Sequence, residues 1–259
     1  MKNSINKNIS KIARAVFVLA FWILVWHFTA IAINNKILVS TPFDTLKNLI
    51  NMGQKRDFYI IIASSVLRIL IGFITAVAFG TLLGIITGKI RFIDELISPV
   101  LSVVKATPVA SFIILALFWI SKERIPSFIS FLMVMPIIHG NVSEGIKNTP
   151  TELIEMTEIY NFTPYNKLTK LYIPNVLPYF FAGFKTSLGL AWKSGVAAEV
   201  IAYTKNSIGK ELNSAKTYLE TIDVFTWTLT VIIISIILEK LLVFAITKLT
   251  GKINGGQRK

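Results

Sequence analysis

Three acids, Glu152, Glu155 and Glu158, recur at every third position with Leu153, Met156 and Ile159 beside them. On a helix this spacing gives one short rod with an acidic stripe and an apolar stripe. Such a rod suits docking, not bond making. A second set of charges, Lys105, Lys185, Lys193 and Glu199, falls inside otherwise apolar runs. A charge at that depth costs roughly 3 kcal/mol on insertion scales, so each should face protein or water. A buried ammonium can hold a sulfonate, carboxylate or phosphate-like group, with Lys193 as first candidate and Lys105 as second. Competing readings stand beside both. Lys193 can pair with an acid, Glu199 included, across a subunit boundary and serve packing. The break at Thr107-Pro108 can bring Lys105 close to an interface.

Other chemistries lack their residues. There is no cysteine, hence no disulfide, thiolate metal site or thiol nucleophile. His27 and His139 lie on different apolar runs, so no metal site is expected. No G-x-x-x-x-G-K-[ST], G-x-S-x-G or H-E-x-x-H pattern occurs. No catalytic residue is expected in this chain. Energy for uphill transport must come from another polypeptide or from an ion gradient.

Hydrophobic residues are 53% of the 259 and charged residues only 16%. A soluble domain carries about a quarter charged, so the chain reads as an all-α, polytopic membrane protein with about six transmembrane helices. Its loops are too short for a separate soluble domain, and 1–259 is expected to be one transmembrane unit. The net charge of +13 would suggest nucleic acid in a soluble chain. Here the basic residues sit mainly in loops and ends, so the partner is the bilayer and no nucleic acid is expected.

Residues 1–14 form a basic arm suited to anionic headgroups through Lys2, Lys7, Lys11 and Arg14. Ala15 to Ile33 is expected to be a retained first span, not a cleaved signal. Ser40-Thr41-Pro42 starts a short amphipathic helix over Phe43 to Asn51. The second span, Ser65 to Gly88, carries Gly72, Ala76, Gly80, Gly84 and Gly88, a small residue at every fourth position that lets another helix approach closely. Arg68 near its end can snorkel or pair. The third span, Leu96 to Ile120, is interrupted by Pro99 and Pro108. The fourth, Phe128 to Gly140, is short. Residues 141–174 form a polar loop, with Thr149 or Thr151 as cap for the acidic helix and Pro164 as a later break. The fifth span runs from Asn175 to Ala202. An outer segment follows with a helix from Ile208 to Leu219, and the sixth span covers Val224 to Ile246. Basic residues favour the side that holds both ends and the loop 141–174, which places that side in the cytoplasm.

The stretch Glu152–Pro178 resembles the loop E-A-A-x3-G-x9-I-x-L-P of permeases in binding-protein-dependent ABC transporters. Laid on this chain, the acid falls on Glu155, the two alanines on Met156 and Thr157, and the glycine on Asn161. The I-x-L-P falls on Leu171, Tyr172, Ile173 and Pro174. Both alanines are replaced, and asparagine is the usual substitute for a glycine that needs a left-handed backbone. Leu177 to Ala202 is similar to the segment after the loop in permeases of the nitrate, taurine and sulfonate type, and the likeness covers Ser64 to Leu242. The resemblance implies type I ABC importer permease architecture in a bacterial cell membrane. It implies ABC ATPase subunits, a second permease subunit as a homodimer, and an extracytoplasmic solute-binding protein as partners. No cofactor is implied in this chain, since ATP and magnesium belong to the ATPase. The loop 152–174 then couples to that ATPase through Leu153, Glu155, Met156, Thr157, Ile159, Asn161 and Pro174. Lys105, Lys193 and Glu199 are candidates for the translocation pathway of a small anionic solute, although uncharged or cationic solutes also suit the family. Two alternatives remain: an ion-gradient carrier using Glu199 and Lys193 as its pair, and a membrane scaffold without transport.

Overall fold

The computed structural model describes residues 2–35 and 37–255, without the side chains of 2–12, 15, 245, 247 and 249–255. Among the basic residues of the N-terminal arm, only the Arg14 side chain is described, so the headgroup contacts expected of Lys2, Lys7 and Lys11 lie outside the described residues, as do the tail charges beyond Lys248. The helices run in order as α1 Lys2–Ile33, α2 Pro42–Gly53, α3 Arg56–Lys89, α4 Arg91–Ala106, α5 Val109–Ala116, α6 Ile125–Lys147 and α7 Thr151–Ile159. A short turn, α8 Pro164–Asn166, then leads into a π-helical stretch, Lys167–Tyr172, and onward to α9 Ile173–Ala202, α10 Ile208–Thr217 and α11 Thr221–Gly255. The described residues contain no strand.

Among the described residues, four stretches are long and apolar enough to cross a membrane: Val16–Ile33, Arg56–Lys89, Ile125–Lys147 and Thr221–Phe244. The pair α4 and α5 makes a fifth if counted as one span broken by a 101° bend. The bend follows from local chemistry. Proline restricts its predecessor to extended backbone, and Thr107 accordingly takes ψ 132°. Pro108 continues with ψ 135°, so the helical ladder stops and restarts in a new direction. The fifth expected span, α9, is long at 30 residues but falls outside the set of apolar spans, because its charges dilute its hydropathy.

The chain divides into two compact units, residues up to Tyr59 with Glu211–Val231, and Ile60–Lys210 with the residues from Ile232 onward. In the first unit, Thr41 caps α2 by accepting from the Asp44 N–H at 3.1 Å, with Pro42 at the first helical position. Asn48 Nδ2 donates to Asp223 Oδ1 at 2.7 Å and to Thr226 Oγ1 at 3.0 Å. Trp26 Nε1 donates to the Ser40 carbonyl at 2.9 Å, and its ring stacks on Phe225.

The second unit is built on the glycine ridge of α3. Between helices in lipid there is little hydrophobic drive, so close backbone approach and interhelical hydrogen bonds must supply the association. A Cβ at Gly72 would stand 2.1 Å from the Ser127 carbonyl oxygen, and one at Gly84 would stand 2.8 Å from the His139 carbonyl oxygen. The ridge therefore lays α3 directly on the α6 backbone. Ser127 Oγ adds a hydrogen bond to the Arg68 carbonyl at 2.7 Å. α9 covers another side of α6, with Trp192 1% exposed and Ala191 and Ala198 sealed. Ser130 Oγ bridges to the Ala191 carbonyl at 3.2 Å.

Several boundaries depart from the sequence-based expectation. α3 starts at Arg56, well before Ser65, and α6 continues through Gly140 and Asn141 to Lys147. Pro136 is buried inside α6, where neighbouring helices compensate for its missing N–H. The cap of α7 is Pro150, not a threonine side chain. Thr149 instead bonds back to the Gly145 carbonyl at 3.2 Å.

Candidate functional site

Pro150 ends α6 and launches α7. At the far end, Asn161 takes φ +50°, a left-handed turn that asparagine tolerates better than most residues. Its N–H donates to the Glu158 carbonyl at 3.0 Å, and the Phe162 N–H donates to the Thr157 carbonyl at 2.9 Å. Thr163 Oγ1 then caps α8 by accepting from Asn166 N at 3.3 Å. Every turn of the loop is thus closed by its own residues.

The faces of α7 divide sharply. Thr157 is 2% exposed and anchors the inner face, its hydroxyl donating to the Ile154 carbonyl. Glu152, Leu153, Glu155, Met156, Glu158 and Ile159 are exposed. Ile159, Tyr160 and Tyr165 stand 77%, 71% and 74% uncovered, far more apolar surface than a short helix end needs to show. Of the expected coupling residues, Leu153, Glu155, Met156, Ile159 and Asn161 lie on this open surface, Thr157 lies beneath it, and Pro174 is half-buried where α9 begins. The loop is held to the rest of its unit by buried Leu171 and by Lys89, whose ammonium sits 4.8 Å from the centre of the Tyr172 ring.

The charges of α9 separate onto two faces. Lys185 and Lys193 are exposed on a flank shared with Ala182, Thr186 and Ala197. Beside them, a Cβ at Gly189 would meet nothing within 4 Å. Glu199 faces the other way and is 0% exposed. Its Oε2 accepts from Ser65 Oγ at 2.8 Å and from the Gly209 N–H at 3.2 Å. Arg68 Nη1 lies 3.9 Å from Oε1 and donates to the Asn206 carbonyl at 3.1 Å. Ser65 Oγ also accepts from the Ile208 N–H at 2.9 Å.

Glu199 therefore ties α3 and α9 to the start of α10, and Gly209 is required there because a Cβ would stand 2.3 Å from Glu199 Cβ. Within this subunit the Glu199 carboxylate faces protein, not open space. Lys193 and Glu199 are about 120° apart around one helix, lie on different faces, and form no ion pair with each other among the described residues. Sequence reasoning left Arg68 to snorkel or to pair; its acid partner is 131 positions away, and no local period connects the two.

Lys105, at the end of α4, lines a polar cavity with His139. At the other end of that cavity, Lys147 Nζ lies 2.6 Å from Asp94 Oδ2. This pair, 53 residues apart, had no signal in the sequence. His139 Nε2 meets Thr87 Oγ1 at 2.8 Å, which explains one of the two histidines as a bridge between α3 and α6. Among the described residues no group of three or more His, Cys, Asp or Glu could hold a metal ion.

A helical chain with several spans apolar enough to cross a membrane, joined by a short exposed loop helix, defines a polytopic membrane protein. Residues 80–252 match the family described as binding-protein-dependent transport system inner membrane component. The match takes in more than half of the chain, and the chain belongs to this family of transport permeases, which are not enzymes. It is 26% identical to a protein of Methanocaldococcus jannaschii named as an ABC transporter permease, over 80% of this chain and 79% of that one. It is 28% identical to the nitrate import permease protein NrtB of Synechococcus elongatus, over 58% of this chain and 54% of that protein. It is also 28% identical to the bicarbonate transport system permease protein CmpB of a Synechocystis strain, over 52% and 48%. The chain thus spans about half the length of these nitrate and bicarbonate relatives.

Proposed function

We propose that this permease forms half of the translocation pathway of an ATP-driven importer for a small anion, and that α7 couples it to a separate ATPase subunit. The observation that carries the reading is the open face of α7, where Glu155 stands beside uncovered Leu153, Met156 and Ile159. A rod fixed at both ends and bare on one side can pass a partner's motion into α6 and α9, the helices it joins. ATP and magnesium belong to that partner. The ends of the chain and the loop 141–174 lie in the cytoplasm. A binding protein delivers the solute at the other side, and a second copy of the permease covers the α9 flank that carries Lys185 and Lys193. Two lysines on one open flank favour a negative solute, in keeping with the nitrate and bicarbonate named for two relatives.

The test is Glu155→Arg in the reconstituted transporter. ATP hydrolysis should persist while uptake falls at least about tenfold, because a reversed charge at a docking contact removes a charge-assisted bond and adds repulsion. Unchanged uptake per ATP would sink the coupling role. An impermeant label that reaches α7 from outside intact cells would sink the orientation.

A further inference from the structure

We infer that the cavity between α4 and α6 is a binding site for a small oxyanion, anchored by Lys105 and closed at its α7 end by the Asp94–Lys147 ion pair. The inference deepens the transport reading by giving the solute a stopping place inside one subunit, and binding there can be measured without transport.

The cavity holds about 170 Å³, against about 30 Å³ for one water's share of the liquid. A four- or five-atom anion fits with a few waters. The walls are polar: Ser98, Ser102 and Lys105 from α4, and His139, Gly140 and Ser143 from α6. A Cβ on Gly140 would meet nothing within 4 Å, so this glycine leaves space at the wall.

The charge inventory decides the sign of the ligand. Asp94 is already engaged by Lys147 at 2.6 Å. Glu144, at the rim, is exposed and accepts from Asn148 Nδ2 at 2.7 Å. No carboxylate among the described residues lies within ion-pair distance of Lys105. A cation entering the cavity finds only Glu144, at the rim, whereas an anion finds the ammonium of Lys105 beside the His139 wall, with no carboxylate engaged to it.

Donors accompany that ammonium. Ser143 Oγ lies 3.5 Å from Thr87 Oγ1 and lines the cavity, and its hydroxyl is free to rotate toward a ligand. His139 is 6% exposed, and its Nδ1 has no hydrogen-bond partner. Either Thr87 donates to His139 Nε2 and Nδ1 carries the proton, or Nε2 donates and Nδ1 accepts. The first arrangement leaves Nδ1 a buried donor without a partner, and the second leaves it a buried acceptor without one. Lys147 ends α6, and only residues 148–150 separate it from the start of α7 at Thr151, so displacement of α7 pulls on the pair that shuts this end.

The experiment uses the full chain, with whatever subunits purify with it, in lipid nanodiscs without nucleotide. Chloride is the probe, read by its nuclear-resonance line broadening, with nitrate, bicarbonate and sulfate as competitors. At least one oxyanion should remove the excess broadening. Lys105→Met should weaken that competitor about tenfold, while Lys105→Arg should keep it within about threefold. Lys216→Met, an exposed lysine elsewhere, should leave it unchanged. Ser102→Asp, at an exposed position of α4, should abolish binding and stands in if Lys105→Met does not fold. Equal competition in Lys105→Met and parent overturns the site. So does loss of competition in Lys193→Met alone, or no competition by any oxyanion in well-folded parent protein. Nucleotide-driven uptake without Lys105-dependent binding sinks the site alone. Lys105-dependent binding without such uptake sinks the transport reading alone.

Discussion

Replacing Gly72 by alanine places a methyl group 2.1 Å from the Ser127 carbonyl oxygen and 2.8 Å from its carbonyl carbon. Both obstacles are backbone, so neither can rotate away. Restoring ordinary contact requires α6 to retreat by roughly 1 Å at this level, and overpacking of that kind costs about 1–3 kcal/mol. The retreat also stretches the bond from Ser127 Oγ to the Arg68 carbonyl, worth about 1 kcal/mol when intact. Against this stands the gain of alanine over glycine within a helix, about 1 kcal/mol. The net loss is about 1–3 kcal/mol.

Gly189 supplies the comparison, since a methyl group there meets nothing within 4 Å and keeps the helical gain. Thermal unfolding of both variants, with one subunit per nanodisc, checks the difference. Gly72→Ala should melt about 2–12 °C below the parent at roughly 2–4 °C per kcal/mol. Gly189→Ala should melt at or slightly above the parent. Equal melting of all three proteins would refute the claim that α3 rests on the α6 backbone.

Glu199→Ala should destabilise by about 3–5 kcal/mol, because Ser65 Oγ, the Gly209 N–H and Arg68 all lose a buried partner. Glu199→Gln, which keeps the shape and an acceptor, should lose clearly less, and equal losses in denaturation would remove the network. Asn161→Gly should be neutral or stabilising by a few tenths of a kcal/mol, and Asn161→Val should cost about 1–2 kcal/mol, since φ is +50° there. Protease resistance of the loop after each change is the readout, and an indifferent Asn161→Val would show that the left-handed turn is not required.

The parts of the fold legible in the sequence are those written in local periods. The small residues at every fourth position of α3 announced a tight helix contact, and α6 fills it. The acidic and apolar spacing of 152–159 gave α7 nearly to the residue. Asn161, standing where the related loops have glycine, takes the left-handed backbone that substitution implies. The misread boundaries have a common cause. Gly140 and Asn141 look like the end of a helix, yet α6 continues because α3 and α9 pack on both sides of it, and tertiary contact outweighs propensity. Arg56 and Asp57 look like loop residues but start α3. The site residues read least well were those whose partners are distant. Glu199 was visible as a charge in an apolar run, but Ser65 lies 134 positions away and Arg68 131. Lys105 and His139 were singled out separately, and only the antiparallel run of α4 along α6 joins them in one cavity.

The six residues Lys167–Tyr172 wind as a π-helix between α8 and α9, wider than an α-helix by one residue in each hydrogen-bonded ring. Such a segment stores slack. Tightening it to ordinary winding would turn the helix beyond it by about 100° and shift it about 1.5 Å for each residue taken up. A pull along the chain from the projecting rod would then reach the distal helix as a screw motion, swinging its two lysines around the axis without bending the rod itself. Spin labels on that helix would report a rotation of this size, whereas a purely sideways tilt would leave the winding untouched.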